Sequence, residues 1–214
     1  MELTLLASSQ LKTSAAKWSL NFWWILANLI GFGFAGAFFH NFPLAYSPSN
    51  LTRFGAFSLA PAIFGGLFFG AIPALLIGWS QRIVLRRYWP LSRWWILSAS
   101  IGMGVMHFLS DGFENARDLS IAVLLGGLSV GAFQWLLLQP HLPLPGWWIL
   151  ANLIGWYLGW VIGIAILRSI GILYLPWVGG LEVKQHGILG VSAGLTSGLG
   201  TGLLLMWLLR NRAL

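Results

Sequence analysis

The sequence predicts an all-helical integral membrane protein with six crossings, built as three parallel helical-hairpin repeats with approximate pseudo-threefold symmetry about the membrane normal. Three observations predict it. Only 8% of the 214 residues are charged and 57% are hydrophobic, far from the roughly quarter-charged composition of soluble domains. Six apolar stretches can each cross a hydrocarbon core that takes about 20 residues, with a range of roughly 17 to 25. The phrase WWILANLIG occurs twice, at residues 23–31 and again at 147–155.

The six stretches fall at residues 22–40, 55–79, 94–110, 119–139, 147–167 and 187–209. The third is the shortest, so it must sit nearly upright or begin earlier, near Trp89. Proline and glycine punctuate the breaks: Pro43 and Pro48, Pro90, Gly112, the Pro140, Pro143 and Pro145 group, then Pro176 with Gly179 and Gly180. The first stretch resembles a signal peptide, because Lys12 and Lys17 precede an apolar run ending in Ala35-Gly36-Ala37. Its core recurs as the fifth stretch, however, so it reads as a spanning helix.

Six crossings put both termini on one side, and the charges identify that side. With the N-terminus, the 2/3 and 4/5 loops and the C-terminus go Lys12, Lys17, Arg82, Arg86, Arg87, Arg93, Arg210 and Arg212, opposed only by Glu2. The other side holds Arg53, Arg117, Arg168 and Lys184 against Asp111, Glu114, Asp118 and Glu182. Lys and Arg accumulate on cytoplasmic loops, so the termini are expected in the cytoplasm. The net charge of +7 is therefore topological, and nucleic acid is not an expected partner. The absence of cysteine excludes disulfides, thiolate metal sites, iron–sulfur clusters and cysteine nucleophiles within this chain.

The repeat shows in several markers. A tryptophan pair occurs a third time at Trp94-Trp95, and each pair has a glycine eight residues after its first Trp: Gly31, Gly102 and Gly155. Gln81 and Gln134 lie thirteen residues before Trp94 and Trp147, and each follows a glycine by three. The C-terminal Leu204-Leu205-Met206-Trp207-Leu208-Leu209 matches the segment around Gln134, with Met206 in the Gln position. A cytoplasmic segment at 1–17 and one membrane domain at 18–214 follow, with repeats at about 18–81, 89–139 and 146–209. Each repeat holds two crossings, so all three would enter the membrane in the same direction.

The combination WWILAN…G, a glycine-rich second helix and GxxQWLLL followed by basic residues resembles a group of cyanobacterial polytopic membrane repeat proteins. The likeness runs from Trp23 almost to the end of the chain, with Met206 departing from the Gln position. It implies a lineage and a thylakoid or plasma membrane, with a photosynthetic complex as a natural partner. It implies no mechanism.

Several residues are candidates for binding. Tryptophans at helix ends suit an aromatic belt at the headgroup level, whereas Trp156 and Trp160 lie inside the fifth stretch and suit stacking on a ligand. Asn28 and Asn152 share one repeat position, occupied by Ala99 in the second copy. With Gln134, they are suited to interhelical hydrogen bonds or to a polar ligand. His40 and His107, at the outer boundary, are of the type that can bind chlorophyll magnesium or haem iron axially. Chlorophyll and carotenoid are the pigments considered, and no cofactor is required by the sequence. His107, Asp111, Glu114 and Asp118 are spaced by four, three and four, and Glu182 precedes His186 by four on the same side. That set could bind Zn²⁺ or Mn²⁺, or could supply an acid and a base. Arg82, Arg86, Arg87 and Arg93 could meet anionic lipid or a cytoplasmic partner. Glycines repeating every four residues, such as Gly155, Gly159 and Gly163, fit close helix packing.

No ionisable residue falls in the middle of a predicted crossing, although ion-coupled carriers keep such groups there. The leading functional expectation is a non-enzymatic accessory or structural subunit, contacting lipid, pigment, a larger membrane complex or further copies of itself. A passive facilitator using Asn28, Asn152 and Gln134 is the alternative, followed by an enzyme or metal site on the outer acidic face.

Overall fold

The computed structural model of the chain describes residues 14–39, 70–110, 116–142, 146–172 and 183–211. Six helices make up the described residues: α1 Ser14–Phe39, α2 Ala71–Leu85, α3 Trp94–Ser110, α4 Ala116–Leu138, α5 Trp147–Ser169 and α6 Val183–Asn211. Four are long and apolar enough to cross a membrane, over Lys17–Ala37, Ser120–Leu138, Trp147–Ser169 and Lys184–Arg210. The described parts of α2 and α3 are apolar but shorter.

Each helix packs against its neighbours in the chain, and α6 packs against α1, so the six close into a ring. Neighbours run antiparallel. Gly31 of α1 lies against Ile77 of α2 and Gly78 of α2 against Ile96 of α3, while Gly202 and Gly190 of α6 meet Asn21 and Phe32 of α1. Glycine is required where backbones approach this closely: a methyl at Gly155 would lie 2.7 Å from Ser197 Cα, and one at Gly31 would lie 2.8 Å from Ile77 Cα. Hydroxyls bond across the same seams, Ser80 Oγ donating to Ala27 O at 2.9 Å and Thr196 Oγ1 to Gly155 O at 2.6 Å. In a bilayer, where lipid is as apolar as leucine, such close packing and hydrogen bonding replace the hydrophobic effect between helices.

Two buried clusters fill the ring. One, at the end where α2 joins α3 and α4 joins α5, contains Leu20, Trp24, Leu85, Trp89, Trp95, Leu138, Leu142, Trp148 and Leu205. The other contains Phe32, Ala35, Ala74, Ile77, Ala99, Val123, Val130 and Trp156. The outer surface is equally apolar, with Ile30, Phe34, Ile101, Leu128, Ile154, Leu158 and Leu199 exposed. Helices that stay apolar on the outward face of the ring as well as the inward one suit a membrane.

Boundaries differ from expectation in identifiable ways. Helix α1 begins at Ser14, eight residues before the expected start. Helix α2 continues to Leu85, past the expected end at 79, which puts Gln81 and Arg82 inside it. Helix α3 begins at Trp94 and does not reach back to Trp89. Trp89 is instead buried over the end of the bundle, in a turn where its N–H and that of Tyr88 both bond to Leu85 O. Helix α5 stops at a glycine in the left-handed region: Gly171 has φ 69°, its N–H bonds to Arg168 O, and Ile172 N–H bonds to Leu167 O. That pair of bonds satisfies carbonyls which a helix end leaves open.

Candidate functional site

The tryptophan pairs divide their labour. Consecutive residues on a helix point about 100° apart, so the two indoles of a pair cannot share a face. Trp23, Trp94 and Trp147 are 44%, 67% and 54% exposed, while Trp24, Trp95 and Trp148 are 1%, 0% and 0% exposed. Among the described residues an aromatic belt therefore suits the first member of each pair but not the second, and it suits Trp18, Trp79 and Trp207, which are also exposed. The second members meet inside the ring, with centroid separations of 6.5 Å for Trp24–Trp95, 5.9 Å for Trp24–Trp148 and 6.3 Å for Trp95–Trp148.

A buried indole needs an acceptor for its N–H, and each of the three has one on the neighbouring helix. Trp95 Nε1 donates to Gln81 Oε1 at 3.2 Å, Trp148 Nε1 to Gln134 Oε1 at 2.9 Å, and Trp24 Nε1 to Thr201 Oγ1 at 2.8 Å. Because indole N–H can only donate, the glutamine atoms facing it must be carbonyl oxygens. This fixes both amide orientations. Gln134 Nε2 then donates to Gln81 Oε1 at 2.9 Å, Gln81 Nε2 donates to Asn28 Oδ1 at 2.8 Å, and Asn28 Nδ2 donates to Trp24 O at 2.9 Å. Asn152 Nδ2 makes the corresponding bond to Trp148 O at 3.0 Å.

The acceptor for Trp24 corrects the sequence register. Gly78, Gly131 and Gly198 all face the isoleucine of a WWI triplet, namely Ile96, Ile149 and Ile25. Three residues further along lie Gln81, Gln134 and Thr201. Thr201, and not Met206, occupies the glutamine position. Met206 is half-buried, five residues away.

Of the expected binding residues, Asn28, Gln134 and Asn152 are buried in or beside this network. Trp156 is buried too, its ring edge-on to Phe32 at 5.3 Å and packed over Gly126 and Gly127, while its Nε1 has no protein partner. Trp160 is half-buried against the same cluster. His107 is buried, its ring seated against Gly70, and near enough to His186 for the two to interact electrostatically. Of the metal set, then, the structure brings together His107 and His186. Asp118 lies early in α4, and Asp111, Glu114 and Glu182, like His40, fall outside the described residues. Among the described residues no three His, Asp or Glu come together as a metal site.

At the other end, Arg86, Arg87 and Arg93 are exposed. Arg82 is half-buried; its Nη2 donates to Leu91 O at 3.4 Å and its Nε is buried without a protein partner. Burial raises the Tyr88 phenol above its ordinary pKa, and neighbouring Arg87 partly offsets that.

Gln81, Trp24, Trp95, Trp148 and Thr201 were not among the expected binding residues. The signal for three of them was present: adjacent tryptophans point about 100° apart, so the two indoles of a pair meet different surroundings. Chemically the network holds donors and acceptors only. Among the described residues its members are amides, indoles and the Thr201 hydroxyl, with no carboxylate, imidazole or amine beside them. Comparison with protein families, with characterised proteins and with solved structures gave no match to this chain.

Proposed function

We propose that the protein is a non-enzymatic structural or accessory subunit of a membrane, in which three hairpin repeats surround an axis along the membrane normal, six helices cross, and both termini are cytoplasmic. One observation carries this reading: the amides of Asn28, Gln81 and Gln134, which could have lined a path or a reaction site, bond to one another and to the packed indoles. A facilitator needs unpaired polar groups along its axis, whereas here the amides of Gln81 and Gln134 are taken up by tryptophans and by each other. Threefold organisation is supported by the recurrence of Gly-x-x-Gln or Gly-x-x-Thr opposite each buried tryptophan. The cytoplasmic assignment rests on the excess of Lys and Arg with the termini.

The apolar outer face suits packing against other membrane helices as well as lipid, and a photosynthetic complex is the partner that the cyanobacterial resemblance implies. Gentle purification tests the reading. Co-migration with a larger membrane complex, with or without a pigment band in the visible spectrum, is the expected result. A protein that purifies alone and conducts a small solute in liposomes overturns it.

A further inference from the structure

We propose that the corner joining α2 to α3 binds an anionic phospholipid headgroup through Arg82, Arg86 and Arg93. Arg82 and Arg86 are four residues apart at the end of α2, which places them on one stripe. The bond from Arg82 Nη2 to Leu91 O ties that guanidinium to the connection two residues before Arg93. All three arginines therefore belong to one corner, with Arg86 and Arg93 exposed there. They face no counter-charge from their own part of the chain, since no Asp or Glu occurs between Glu2 and Asp111. The Arg82 Nε is buried and unpartnered. A guanidinium presents a planar fork of donors that matches phosphate.

The exposed indoles of Trp79 and Trp94 flank the corner, and exposed tryptophans at helix ends suit the headgroup level, where lipid phosphates lie. The same turn forms elsewhere in the chain without these charges. The α4–α5 connection makes the same backbone bonds, Gln139 N to Trp135 O, His141 N to Leu138 O and Leu142 N to Leu138 O, matching Arg86 to Arg82, Tyr88 to Leu85 and Trp89 to Leu85. There the three arginine positions are held by Trp135, Gln139 and Gly146. Membrane orientation requires positive charge only near the cytoplasmic side, and does not call for an arginine set into the helix with its Nε covered.

The test is native mass spectrometry of the full chain in detergent, offered phosphatidylglycerol and phosphatidylcholine in equal amounts. Wild type should retain phosphatidylglycerol preferentially. Arg86→Gln with Arg93→Gln, both at exposed positions, should weaken that retention by about tenfold or more. Lys17→Gln with Arg210→Gln removes the same charge at the same end and should change it by less than about twofold. Arg82→Gln should lose retention while circular dichroism shows unchanged helicity; should helicity fall, the Arg86/Arg93 pair decides the matter alone. Equal loss in the Lys17/Arg210 control, no preference in wild type, or displacement of the lipid by excess inorganic phosphate would each overturn the proposal.

Discussion

Residues 78–103 and residues 131–156 are two versions of one design, 53 positions apart. Each has a glycine against an isoleucine, a glutamine accepting from a buried tryptophan, the same turn at a buried leucine, and a glycine eight residues after the first tryptophan. The two differ in what surrounds the glutamines. Gln81 accepts from both Trp95 and Gln134 and donates to Asn28, whereas Gln134 accepts from Trp148 and donates to Gln81. Matching positions of the two segments therefore differ in connectivity: the Gln81 amide joins three other helices to α2, whereas the Gln134 amide joins two to α4. The residue four after the buried tryptophan is part of the reason: Ala99, fully buried after Trp95 where Asn28 follows Trp24 and Asn152 follows Trp148, presents no amide to intercept Gln134.

The widest expected gap lies between the two glutamines. Gln81→Leu leaves Trp95 Nε1, Gln134 Nε2 and Asn28 Oδ1 without their partner, which should cost about 3 kcal/mol. Gln134→Leu strands only Trp148 Nε1, since Gln81 Oε1 keeps Trp95, and should cost about 1 kcal/mol. Chemical unfolding in mixed micelles, followed by near-ultraviolet tryptophan signals, measures both. Equal losses would mean that the shared network is not what separates the halves.

Smaller but similarly paired effects are expected at the seams. A methyl on Gly78 would lie 2.6 Å from Ile96 Cα and closer still to its carbonyl oxygen, whereas one on Gly131 would lie 2.8 Å from Ile149 Cα and 3.1 Å from its oxygen. Backbone cannot step aside as a side-chain tip can, so Gly78→Ala should cost about 2 kcal/mol and Gly131→Ala about 1 kcal/mol. A reversed order of unfolding midpoints would show that α4 and α5 meet more tightly than α2 and α3. Below these come the asparagines. Asn28→Ala orphans Gln81 Nε2 and should cost about 1 kcal/mol, while Asn152→Ala removes a bond within its own helix and should cost roughly 0.5 kcal/mol. An Asn152→Ala loss larger than that of Asn28→Ala would reveal a partner for Asn152 across the ring.

Much of the fold is legible in the sequence because apolar length, glycine spacing and the tryptophan pairs are local properties. The ends of α3, α5 and α6 lie within four residues of where hydropathy puts them. What escapes is which side of a helix faces inward. Gly198-Leu199-Gly200-Thr201 has the spacing of Gly78-Trp79-Ser80-Gln81, but the leucine-rich tail around Met206 imitates the tail after Gln134 and draws the register five residues along. Apolar residues look alike whether they meet lipid or core, so the tail cannot arbitrate; the glycine that lets α6 approach Ile25 of α1 does. The amide network was unreadable for a related reason. Gln81 and Asn28 lie 53 residues apart in the chain and on adjoining helices in space, and only the packing of the indoles against the glutamines tells which amide donates to which.

The smallest difference is at the two turns. Tyr88 and His141 occupy matching places, each donating its backbone N–H to the leucine that ends a helix. Burial raises the Tyr88 phenol pKa in the folded protein, with Arg87 opposing in part. The neutral phenol is thus the form the fold accepts. Stability linked to Tyr88 is complete below the unfolded tyrosine pKa, near about 10, and is lost as pH rises through the higher folded value. Tyr88→Phe should leave the unfolding midpoint unchanged near neutral pH and should flatten its decline in strongly alkaline solution. An unaltered alkaline decline in Tyr88→Phe would place the sensitivity on other titrating groups and not on the phenol that distinguishes this turn from the one at His141.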